Sequence, residues 1–182
     1  MKKVIITLFL LVVLSFLILS GCLDDSEKED IHEFTFTALD GSEKHLSDYR
    51  GKVVILDLWA SDCPPCLATL PELKKIYESY SRDDLEIISV DVDPSEGADY
   101  IKSFIEWFEG NYGVELNWVF GMDDGSISEK YLNEGAIPTV ALFDQVGRLQ
   151  FRKPGICAYD GIPPGYPAET NLLAPEINKL ID

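Results

Sequence analysis

Trp59-Ala60-Ser61-Asp62-Cys63-Pro64-Pro65-Cys66 follows directly on the run 53–58, Val-Val-Ile-Leu-Asp-Leu, which is apolar apart from Asp57. That order reads as a buried strand, a short turn and the opening of a helix. Cys63 then stands at a helix N-terminus, where unpaired N–H groups and the macrodipole favour a negative sulfur. The i, i+3 spacing sets Cys66 beneath it on the same helical face, within bonding reach. Pro65 falls in the first turn, where its missing N–H costs nothing and its fixed φ suits a helix. Lowering a thiol pKa from ~8.5 to ~7 raises the thiolate share at neutral pH from a few per cent to about half, for roughly 2 kcal/mol. The pattern points to a pair that exchanges electrons with disulfides.

Two other readings of the pair are weaker. A zinc site needs four ligands, and the chain has no second CxxC and no HxxxH; its two histidines, His32 and His45, both lie upstream. A purely structural disulfide closing so short a loop removes little unfolded-state entropy.

The N-terminus bears on the compartment. Lys2 and Lys3 precede the uncharged stretch 4–20, and Leu19-Ser20-Gly21-Cys22 matches a bacterial-type lipobox. Residues 1–22 are read as a lipoprotein signal peptide with Cys22 as the lipidated residue; an uncleaved membrane span is the alternative. Both place the folded part outside the cytoplasm, tethered to the membrane, where stable disulfides form. Residues 23–30, rich in Asp and Glu, form an acidic tether too polar to fold. Residues 31–182 suit one domain. The 182-residue chain carries 15 Lys and Arg against 32 Asp and Glu, net −17. Without the signal peptide the net charge is about −19, which repels nucleic acid and anionic headgroups.

Along the domain, residues 34–38 and 44–46 flank the turn Asp40-Gly41 and predict a leading hairpin. The spacing of Leu67, Leu70, Leu73, Ile76 and Tyr77 predicts a helix over 64–80, kinked at Pro71. Residues 85–92 read as a second buried strand, and 94–112 hold a helix with Ile101, Phe104, Ile105 and Phe108 on one side and Trp107 partly exposed. A short strand at 118–121 precedes a helix opened by the capping box Ser126-Ile127-Ser128-Glu129. Strands at 137–143 and 149–152, a proline- and glycine-rich loop at 154–167 and a last helix from Glu169 complete the chain. Strands that alternate with helices and end in a hairpin predict an α/β fold with a mixed sheet.

At this point the chain resembles the membrane-anchored thioredoxin-like family of the TlpA/ResA type. The resemblance rests on Leu46-Ser47-Asp48-Tyr49-Arg50-Gly51-Lys52-Val53-Val54, on Trp59-Ala60-Ser61 with Cys63-Pro64-Pro65-Cys66, and on Gly135-Ala136-Ile137-Pro138-Thr139. The stretch 92–118 resembles the family's helical insertion into the thioredoxin fold. The resemblance implies a mixed central sheet flanked by helices, a cis Pro138 against the Cys63–Cys66 pair, and a substrate groove involving Trp59, Pro64, Pro65, Ile137 and Gly155. From the residues alone, Pro138 at the head of a strand reads more readily as a trans proline at a sheet edge.

Three departures from the family pattern matter. Asp62 replaces the usual aromatic before the first cysteine; a carboxylate there opposes the helix dipole, raises the thiol pKa and makes the pair harder to reduce. Thr69 replaces a glutamate common three residues after the second cysteine. Asp57 matches the buried acid of thioredoxin, thought to relay a proton to the second cysteine. The residues themselves leave open a wet-edge Asp57 that caps a backbone group. Cys157, following Gly155-Ile156, is an extra thiol near the site or a buried free one. The clusters Asp91-Val92-Asp93 and Asp123-Asp124-Gly125 fit no EF-hand, and no metal is expected.

The resulting expectation is a lipid-anchored thiol–disulfide oxidoreductase with no cofactor beyond its own disulfide. The resemblance implies protein disulfides as substrates, such as apocytochrome c awaiting haem, and a membrane thiol-electron carrier as reductant. The Pro-Pro dipeptide and Asp62 lean towards reduction. The alternatives are a peroxiredoxin-type peroxidase, which keeps Thr and Pro just upstream of its cysteine, a copper metallochaperone, which needs a downstream histidine, and a binding lipoprotein.

Overall fold

A computed structural model describes residues 32–132 and 135–181. Its frame is β3 (Val53–Trp59), every residue of which is buried. To one side lies β4 (Leu85–Asp91), parallel to it, followed by the parallel β5 (Val119–Met122). Antiparallel to β5 runs β1 (Thr35–Ala38), which pairs with β2 (Glu43–His45) as the expected hairpin. To the other side of β3 lie the antiparallel β6 (Thr139–Phe143) and β7 (Leu149–Pro154). The result is a mixed seven-stranded sheet in the order β2-β1-β5-β4-β3-β6-β7.

The two-residue period of β3 sorts its side chains between two cores. Val53, Ile55 and Trp59 pack under α1 (Pro64–Ser79) and α2 (Ala98–Tyr112), with Leu70, Leu73, Ile76, Ile101 and Phe108. Val54, Leu56 and Leu58 face the opposite layer, with Phe34, Phe36, Phe143 and Ile127 and Tyr131 of α3 (Ser126–Tyr131). Asp57 therefore points into the α1 side, the side of the cysteines. α2 bridges the parallel β4 and β5, as the expected insertion.

α1 runs from Pro64 to Ser79 with Pro71 inside it, where the spacing predicts a helix. Three expectations are corrected. α3 is not opened by Ser126 and Glu129: its N-cap is Gly125, and Asp123 accepts the N–H groups of Ile127 and Ser128 at 3.0 and 2.8 Å. A carboxylate from the preceding turn reaches the free N–H groups before any side chain of the helix can. The loop after Pro154 contains β8 (Cys157–Ala158), paired in parallel with β9 (Asn171–Leu172). The last helix, α4 (Ala174–Ile177), consequently starts five residues later than the expected Glu169.

Candidate active site

Cys63 is the N-cap of α1, with φ −98° and ψ 96°, and is joined by a disulfide to Cys66, their Cα atoms 5.2 Å apart. The cap is made by sulfur: the Cys66 N–H donates to Cys63 Sγ at 3.2 Å. Pro64 and Pro65, both exposed, occupy the first two helical positions and bring no N–H. Of the donors a helix start normally offers, the two nearest are missing, and the Cys66 amide is left facing the sulfur. Cys63 retains 8% exposure and Cys66 only 1%, which makes Cys63 the sulfur open to an incoming disulfide.

The Ile137–Pro138 peptide bond is cis. Ile137 and Pro138 line, with Pro65, Gly155 and Ile156, a groove of about 410 Å³. Gly155, at φ +99°, donates its N–H to Pro138 O at 2.8 Å and ties the two loops together across β6 and β7. Three of the five residues expected in a substrate groove, Pro65, Ile137 and Gly155, are thus brought together with the cis Pro138 from three segments, while Pro64 is not among the lining residues. Trp59 is not among them. It is fully buried, its ring 5.4 Å from that of Phe104 and 5.7 Å from that of Phe120. As the last residue of β3 it still follows the strand's alternation, which turns it inward beneath α2 instead of outward to substrate.

Asp57 is 1% exposed, so the wet-edge reading fails. The Ser89 hydroxyl, directly across on β4, donates to Asp57 Oδ2 at 2.8 Å, and the Trp118 indole N–H donates to Ser89 Oγ at 3.0 Å. Asp57 Oδ1 has no partner. Burial pushes the carboxyl up to about 7, against the lowering effect of the Ser89 bond. Cys157 lies close enough to feel Asp57: burial first, and the Asp57 charge second, push its thiol up to about 12. Fully buried and a thiol at neutral pH, Cys157 is poorly suited to resolve a mixed disulfide. Thr69 packs against it, the Cys157 N–H pointing at Thr69 Oγ1 at 3.5 Å.

On the other flank of Cys63, Ser61, Asp62 and Leu67 line a cavity of about 440 Å³ with Tyr100, Phe104 and Trp107 of α2. The Ser61 hydroxyl donates to Glu96 Oε1 at 2.5 Å. None of Ser61, Glu96 or Tyr100 carries a local signal in sequence; they meet across 35 to 39 residues of chain. The half-exposed Trp107 was the only sign of this face that periodicity could give.

Residues 28–152 match the AhpC/TSA family. The chain belongs to that family. It is 30% identical over 151 residues to the thiol-disulfide oxidoreductase ResA of Bacillus cereus, covering 81% of this chain and 83% of that protein. Among solved structures it is similar to the exposed lipoprotein thioredoxin of Streptococcus pneumoniae, 32% identical with a TM-score of 0.53, over 69% of this chain and 90% of the other. A thiol-disulfide isomerase of Corynebacterium glutamicum, 20% identical, shares the fold with a TM-score of 0.65, over 86% of this chain and 98% of the other. Thioredoxin-like in fold and carrying the Cys63–Cys66 disulfide, this AhpC/TSA-family protein is a thiol-disulfide oxidoreductase.

Within this oxidoreductase Asp62 is exposed and directly precedes the N-cap sulfur. Replacing it by alanine removes a negative charge beside a developing thiolate. Asp62→Ala is expected to lower the Cys63 pKa by on the order of half a unit, read from thiolate absorbance of the reduced protein. An unchanged value would mean that water screens the pair completely.

Proposed function

We propose that the protein is a membrane-tethered, extracytoplasmic reductase of disulfides in exported proteins. The observation that carries the direction is the stripped helix start. With Pro64 and Pro65 contributing no N–H and Asp62 adding negative charge, the Cys63 thiolate has weak support, and weak support for the reduced form favours electron donation.

In this reading Cys63 thiolate attacks a substrate disulfide lying along the groove of Pro65, Ile137, Pro138 and Gly155. A Cys63–substrate disulfide forms and the other substrate sulfur leaves as a thiolate. Cys66, giving its proton to Asp57, attacks Cys63, and the second substrate thiol is released. Substrate gains two electrons and two protons, and the enzyme is left oxidised. A thiol-electron carrier in the membrane then returns both electrons. The couple needs no other cofactor, and apocytochrome c before haem attachment is a substrate of the right chemistry.

The tether is supported by the lipobox ending at Cys22 and by similarity to an exposed lipoprotein thioredoxin. The signal peptide, Cys22 and the acidic tether lie outside the described residues, among which no helix is long and apolar enough to cross a membrane. The deciding experiment is the midpoint potential of the Cys63–Cys66 couple in the detergent-solubilised full chain, by thiol trapping across a redox-buffer series. A midpoint near ~−270 mV or lower is expected, while one near ~−120 mV would make the protein a disulfide donor and reverse the direction.

A further inference from the structure

Parallel pairing of β3 and β4 places Trp59 beside Asp91, so the loops leaving the two strands emerge side by side. One loop carries Asp62, the other Asp93 and Glu96. One carboxylate oxygen from each of these three lies within 4.8 Å of the other two. Among the described residues, no Lys or Arg forms an ion pair with any of them or with Asp91. Elsewhere in the chain, buried Glu72 is paired, with Lys75 Nζ at 2.6 Å.

A second observation is independent of that crowding. Asp91 is 2% exposed; its Oδ1 accepts the Asp93 N–H at 2.8 Å, while its Oδ2 has no partner. Its carboxyl lies against that of Glu96, whose Oε2 is likewise buried and unpartnered, Oε1 being held by Ser61. Two buried carboxylate oxygens on touching side chains, neither met by a protein N–H or O–H, call for a shared proton or a positive centre beside them.

We propose that Asp62, Asp93 and Glu96, backed by Asp91, bind a divalent cation of the calcium class. Oxygen-only donors exclude the soft metals. Calcium, with six to eight ligands at about 2.3–2.6 Å, brings its oxygens within roughly 5 Å of one another and tolerates an irregular set. Magnesium demands a near-ideal octahedron at about 2.0–2.1 Å, which two loops and one exposed side chain do not preform. The ligands come from two segments some thirty residues apart, so an EF-hand pattern could not reveal them. The ion would join the loop after β4 to the active-site turn, with positive charge one residue from Cys63. Binding itself does not depend on the direction of electron flow proposed above.

The test is calorimetric titration of calcium chloride into the chelator-treated, oxidised full chain. One ion per chain is expected, with a Kd of about 10⁻⁴ to 10⁻³ M. Glu96→Gln, which keeps the acceptor for Ser61, and the exposed Asp62→Asn should each weaken binding by about tenfold. Asp83→Asn, at the far end of β4, should leave it unchanged. Absence of saturable binding overturns the proposal. So does equal weakening by Asp83→Asn and Asp62→Asn, which would show only diffuse attraction to an acidic surface.

Discussion

Cys63→Ser is expected to lose all turnover of a protein disulfide, falling to the rate of substrate with buffer thiol alone. The 8% exposure of Cys63 against 1% for Cys66 makes it the sulfur that substrate can reach, and a serine hydroxyl at neutral pH is no nucleophile for sulfur. Cys66→Ser should stop the cycle one step later. Cys63 still attacks, but nothing resolves the product, so a covalent enzyme–substrate disulfide accumulates and is released by dithiothreitol. Non-reducing electrophoresis after mixing with a disulfide substrate separates the two. Accumulation in Cys63→Ser instead would interchange the roles. Accumulation in neither would move the nucleophile elsewhere, and the remaining described cysteine, Cys157, is buried with its thiol pushed up to about 12.

Asp57→Asn should have the largest effect on stability, and the effect depends on pH. The folded carboxyl titrates at about 7 against 3.8 as a free group, because burial disfavours its charge. Below pH 3.8 both states are protonated and the group is neutral to folding. As pH rises from 3.8 to about 7, the unfolded chain ionises first, so stability falls, and above about 7 the full cost remains. A shift of that size corresponds to roughly 4 kcal/mol. Asparagine keeps the acceptor for Ser89 and carries no charge. Urea unfolding of the oxidised protein should therefore show variant and wild type nearly equal at pH 4 and the variant more stable by up to about 4 kcal/mol at pH 8. Equal stability at both pH values would show that water reaches Asp57. In turnover, the same variant should lose the rate transition near pH 7 if Asp57 takes the proton of Cys66; a retained transition would assign it to another group.

The cysteine substitutions and Asp57→Asn probe opposite ends of one design. β3 ends at the turn that presents Cys63, and its alternation carries Asp57 to the cysteine side of the sheet. A buried acid at that point costs stability above neutrality, which a core serving only packing would avoid. The Trp118–Ser89–Asp57 chain of hydrogen bonds holds the carboxyl in place while leaving Oδ1 unpartnered and able to receive a proton.

Much of this was readable from the linear chain. The apolar run 53–58, the CxxC after it and the helical spacing from Leu67 to Ile76 are local patterns. Period and nearest neighbours are what local backbone geometry encodes, and β3, α1 and the disulfide followed from them. Resemblance added the cis peptide at Pro138 and the groove it shares with Pro65, Ile137 and Gly155, of which spacing alone said nothing. Other features depend on which strands become neighbours. Trp59 belongs to the recognised motif, yet the packing of α2 over the end of β3 makes it core. Asp123 displaced a good capping box because the turn before α3 brings its carboxylate to the free N–H groups. In the sequence Asp91 and Asp93 read as strand-end and turn acids, Asp62 as a charge beside the first cysteine, and Glu96 carried no signal. They became a cluster through the β3–β4 register, which sets Trp59 beside Asp91 across thirty-two residues of chain. Such adjacency leaves no period in the sequence, since it is fixed by the pairing of strands rather than by the residues between them.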